Sequence, residues 1–133
     1  MSAALALQAA ILARLVADAD LIAALGGPRI HDGAPQGTSF PHVTLGGSGQ
    51  SDWSDASMQG SEVDLTVHVW SREAGKRQAW MIAGILMRLL HDAPMTLPDR
   101  VLILLRVAFA EVRREADGIT EHAVIRLTAL VEG

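Results

Sequence analysis

Five histidines, fifteen acidic residues and no cysteine bound the chemistry open to this 133-residue chain. His31, His42, His68, His91 and His122 never stand at an H-x-x-x-H or H-E-x-x-H spacing, so no helix turns two imidazoles toward one metal ion. Without cysteine there is no thiolate zinc site, no thiol nucleophile and no disulfide framework. One constellation remains. If residues 62–70 form a strand, His68 and Asp64 share a face, and His42 can lie beside His68 across a strand pair. A carboxylate near two imidazoles is the raw material of an acid–base pair or a metal site. The plainer reading is a strand whose alternate residues face water.

Other reactive patterns fall away quickly. No G-x-S-x-G is present to build a nucleophile elbow. Gly46-Gly47-Ser48-Gly49 resembles a phosphate-binding loop only in its glycines. It lacks the closing Gly-Lys-Ser/Thr, and no helix clearly starts behind it. Residues 46–61 therefore read as a mobile loop or hairpin tip, or as a strand continued through bulges. Three tryptophans stand out. Trp80 fits a helix core, Trp70 ends a strand on its polar side, and Trp53 lies in the polar, glycine-rich segment. A tryptophan there needs something to dock on. Contact with a partner is expected of Trp53 and its neighbours Gln50, Asp52 and Met58.

The elements that carry these residues follow from periodicity. Ser2 can cap a helix over residues 2–16, and Leu21–Leu25 forms a second short turn before Gly26-Gly27-Pro28. Arg29–His31 is a short extended piece. Residues 32–39 are loop, and Pro41–Leu45 begins a strand. Glu62–Trp70 alternates cleanly, with Val63, Leu65, Val67 and Val69 on one face. A second long helix covers residues 76–92 and stops before Pro94. Residues 100–114 alternate imperfectly. Asp117-Gly118 is a tight-turn dipeptide, and residues 121–131 alternate again, so 100–131 reads as a long hairpin. The order α-β-β-α-β-β predicts an α+β fold, a four-stranded antiparallel sheet with two main helices on one face. No linker divides the chain, so residues 1–133 form one domain.

Composition narrows the class. Half of the chain is apolar, only 20% is charged, and the net charge is −4. Disorder is excluded as the resting state, and electrostatic capture of nucleic acid is not expected. Residues 1–8 lack a secretory signal's basic start and unbroken apolar run, and no stretch of about 18 apolar residues predicts a membrane span. The apolar surplus sits on the two long helices, whose apolar arcs each cover roughly 200°. A face that wide needs more cover than one sheet provides, so subunit contacts are expected through Leu7, Ile11, Ile85 and Leu89.

Several short runs share a pattern. They are Leu21–Gly26, Arg29-Ile30-His31-Asp32, Phe40-Pro41-His42-Val43-Thr44-Leu45-Gly46, Val67-His68-Val69-Trp70-Ser71 and Asp117-Gly118. In this order, across about residues 3–131, the chain resembles the tail-completion or tail-terminator proteins of long-tailed phages, prophages and gene transfer agents. The resemblance implies a structural virion protein, not an enzyme, with no catalytic residues, cofactor or metal. It implies a ring, typically hexameric, that caps the tail tube, ends its polymerisation and offers the head connector a joining surface. DNA would pass through the lumen without specific binding. Such a protein would sit in the tail or neck of a particle assembled in the bacterial cytoplasm, away from any membrane. The competing reading is a small α+β enzyme or ligand-binding domain, with His42, His68 and His122 lining a cleft between helices and sheet.

Overall fold

The computed structural model describes residues 1–133. Helix α1 (Ala3–Val16) starts where the Ser2 side chain accepts from the Leu5 amide. Helix α2 (Ala19–Leu25) is capped the same way by Asp18 on Leu21 N–H. It ends at Gly26, whose φ of +77° suits the left-handed cap that glycine adopts without strain. The expected short turn is thus a helix in its own right. Helix α3 (Arg77–Leu90) is the second long helix.

Six strands form one sheet: β1 (Ile30–His31), β2 (His42–Asp52), β3 (Gly60–Ser71), β4 (Thr96–Leu97), β5 (Arg100–Arg114) and β6 (Glu121–Glu132). Their order is β1-β2-β3-β6-β5-β4. The expected four-stranded antiparallel sheet is corrected to a six-stranded mixed one. The four long strands are antiparallel at the centre, but β1 pairs parallel with β2, and β4 adds to β5. Both additions are two residues long, too short to show any periodicity in sequence.

The core lies between one sheet face and the helices. It includes Leu7, Ile11 and Leu15 of α1, Ile82 and Leu86 of α3, Val63 to Val69 at alternate positions of β3, and Ala123 to Val131 at alternate positions of β6. The imperfect alternation of β5 has a cause. Register shifts between Leu102 and Leu104 and between Val107 and Phe109 each insert one residue. Leu102, Leu105, Val107, Ala110 and Val112 therefore all reach the core, although their spacing breaks a period of two. A similar shift between Gly46 and Gly49 lets β2 continue to Asp52, so only residues 53–59 form the hairpin tip.

Candidate functional site

Three surfaces are exposed by this architecture: the sheet face turned away from the helices, the β2–β3 hairpin arm, and the outer helix faces.

On the open sheet face the cross-strand register puts His42, Trp70, His122 and Arg113 in one row. His68 falls in the next row, between Thr44 and Val124. Trp70 stacks on His122 with ring centroids 3.8 Å apart and planes 11° apart, and its indole N–H donates to Thr44 Oγ1 at 3.0 Å. His122 Nδ1 lies 2.6 Å from Glu115 Oε1, and its Nε2 lies 2.7 Å from His68 Nδ1. With a carboxylate acceptor on Nδ1, His122 carries its proton there and accepts from His68 Nδ1–H at Nε2. Both rings are then neutral. Burial holds the pKa of His42, His68 and His122 below the ordinary 6.5, and for His68 the facing imidazole adds to the effect. Glu115 opposes the shift at His122 without reversing it.

This cluster corrects the sequence expectation in three respects. His68 pairs with His122 rather than with His42, and Asp64, although on the same sheet face as His68, accepts from Thr128 Oγ1. The histidines lie on the sheet face opposite the helices, so they line no cleft between helices and sheet; that space is filled by the core. Glu115 joins the cluster from outside any motif, yet the turn dipeptide signals its place. A hairpin turning at Asp117-Gly118 brings residue 115 beside residues 120–122, and the Glu115 amide does donate to the Thr120 carbonyl.

The arm presents the residues expected to meet a partner. Its tip is tied by side chains. Asp52 Oδ1 accepts from the Ser54 amide and hydroxyl, and Asp55 Oδ1 accepts from Ser57 and Met58 amides. Those bonds, led by the Ser57 amide, hold the Asp55 pKa below the usual 3.8. Trp53 lies against Gly60, where a Cβ would come within 2.9 Å of both its ring and its carbonyl oxygen. It still keeps 39% of its surface exposed. Gln50 is exposed and reaches back, its Oε1 accepting from Ala4 N–H at 2.9 Å. Asp52 is exposed and Met58 half-buried.

The helices divide their apolar residues differently from the expectation. Leu7, Ile11 and Leu89 are buried in the subunit's own core, and Ile85 is half-buried against it. Leu7 and Ile11 therefore present no surface of their own, and Leu89 presents only a little. The surplus faces outward elsewhere, at Leu5 and Val16 on α1 and at Trp80 and Met81 on α3. Trp80, expected in the core, is 44% exposed.

The profile of the family described as Tail completion protein gp17 matches residues 9–132. The chain belongs to the tail completion protein gp17 family. It is similar to the tail completion protein gp17 of Bacillus phage SPP1, at 22% identity over 88 residues. That alignment covers 66% of this chain and 65% of the relative, just under two thirds of the relative's length. A chain in the virion of a native gene transfer agent particle is similar over 100% of both chains, with a TM-score of 0.90 and 31% identity. The solved structure of bacteriophage SPP1 gp17 matches with a TM-score of 0.66 over 96% of this chain and 89% of that one; at 20% identity this likeness concerns the fold. The runs Phe40–Gly46, Val67–Ser71 and Asp117-Gly118 all lie within the matched residues.

Proposed function

We propose that the chain is a structural component of a phage-type virion and forms a closed ring, a hexamer, on the end of the tail tube. The ring stops tube polymerisation and gives the head connector its joining surface, and DNA passes through the lumen. The observation that carries this reading is the full-length match, at 31% identity, to a chain built into a gene transfer agent virion. The outward apolar residues Leu5, Val16, Trp80 and Met81 support it, because a ring needs lateral contacts that a monomer leaves open.

The hairpin tip is the axial contact to the tail tube protein or the connector. Trp53 and Met58 supply the apolar contact, while Gln50 and Asp52 hold the arm in position. Each copy adds a charge of −4, so an assembled ring repels duplex DNA on balance and lets it slide. Tight, salt-sensitive binding of duplex DNA by the purified ring would contradict this.

Negative-stain microscopy of particles made without this chain tests the reading. Tails of uncontrolled length, or tails not joined to heads, are the expected result. Tails of normal length joined normally to heads would refute it.

A further inference from the structure

Both margins of the sheet are only half covered, and the uncovered halves lie at opposite ends. On one margin, β1 pairs with Val43 and Thr44 alone, which leaves the outer edge of β2 from Leu45 to Asp52 without a partner strand. On the other margin, β4 pairs with Arg100 and Val101 alone. Further along β5, the Leu105 carbonyl accepts from Asp92 N–H and the Val107 amide donates to His91 Nδ1. From Ala108 to Arg114 the outer edge of β5 has no strand beside it. Long unpaired edges offer rows of N–H and C=O groups, and folded proteins rarely leave them open.

The two open halves complement each other in charge. The open half of β2 carries Asp52 and no basic residue, whereas the open half of β5 carries Arg113 and Arg114 against Glu111. They also match in direction. The registers put Arg114, Glu121 and Ser71 at one end of the sheet and Asp52, Ser61 and Val131 at the other. In two subunits placed side by side in the same orientation, β5 of one and β2 of the next run antiparallel.

We infer that the open edge of β5 in one copy of this chain takes the open edge of β2 from a second copy as an added antiparallel strand. Repetition makes the sheet continuous around the assembly. This rests on the ring reading above and names its contact. Each subunit owns one edge of each kind, so the contact is head-to-tail, the type that closes into a ring when its rotation permits. Because the open halves are diagonal, adjacent sheets are staggered, and the strands incline to the ring axis as strands of a closed barrel do. Aligning the open halves puts Asp52 near Ala108 and Gly46 near Arg114.

The absence of cysteine gives a clean background for crosslinking. Ser51 and Ala108 are exposed and lie on edge strands separated by β3 and β6, about 14 Å or more apart within one subunit at three strand spacings. A short bifunctional maleimide applied to the Ser51→Cys/Ala108→Cys double variant should give a ladder from dimer up to the closed ring. A mixture of the two single variants should stop at dimer. Circular dichroism and the thermal transition confirm that the variants fold, and the reaction is run on free protein and on purified particles. Rings seen by microscopy without any ladder would overturn this contact and leave the ring standing. Monomers alone, in free protein and in particles, would overturn both.

Discussion

His122 lies flat on Trp70, its ring centroid 3.8 Å from the indole, on the sheet face away from the helices. The stack buries an imidazole where a strand surface would ordinarily meet water; His122 is 4% exposed. Glu115 and His68 occupy its two nitrogens, and the neutral ring is the form this packing holds.

That packing makes stability depend on mildly acidic pH. The folded pKa values of His42, His68 and His122 are lowered, mainly by burial, so the unfolded chain binds more protons below about pH 6.5. Stability is full above that pH and falls as the pH drops through the folded values. The melting temperature should decline between pH 7 and 5, and His68→Asn should flatten the decline. An unchanged slope in the variant would remove the His68–His122 pair as its source. A second loss belongs to lower pH. Hydrogen bonds from Thr120 and Ile119 hold the Asp117 pKa to about 2 against an ordinary 3.8, so its contribution disappears as the pH falls through that interval.

Leu5 and Leu7 sit two residues apart on α1 and should behave oppositely. Leu7 is fully buried, so Leu7→Ala should cost about 2–5 kcal/mol in urea unfolding. Leu5 is 53% exposed, and Leu5→Ala should stay within roughly 0.5 kcal/mol. Its effect should appear in assembly, as a weaker ring in sedimentation. Equal unfolding costs would mean that α1 packs by another face.

The hairpin tip can be removed without touching strand residues. Replacing Trp53–Gln59 by Asn-Gly, which favours a two-residue turn, should preserve folding while abolishing tail capping. Normal tails from this variant would sink the assignment of the tip as the axial contact. A wider deletion from Gln50 would be ambiguous, because Gln50–Asp52 belong to β2 and Gln50 holds the Ala4 amide.

Gly60→Ala probes the seat of Trp53. The added methyl would meet the Trp53 ring and carbonyl oxygen at 2.9 Å, so the tip must shift. Overpacking of this kind costs about 1–3 kcal/mol. A change in tryptophan fluorescence should accompany the loss. A stable variant with an unchanged spectrum would show that the contact yields freely.

Much of this protein was legible in one dimension. Local signals placed the long helices and the strands: Ser2 as a cap, the strict alternation of Glu62–Trp70, and the Asp117-Gly118 turn. The motif order was enough to place the family. What the sequence could not settle was everything set by contacts between distant residues. The two-residue strands β1 and β4 exist only because neighbours pair with them, and the bulges of β2 and β5 erase the alternation that would reveal a strand's two faces. The partner of His68 depended on β3 lying beside β6 rather than on any spacing. The wide helical arcs were real, but tertiary packing alone decided which apolar residues the core took. Leu7, Ile11 and Leu89 went inward, and Leu5, Val16, Trp80 and Met81 were left outside. A helical arc counts apolar residues without saying which side the sheet will occupy. Burial is a property of the assembled layers, and the direction of the surplus was fixed only when those layers met.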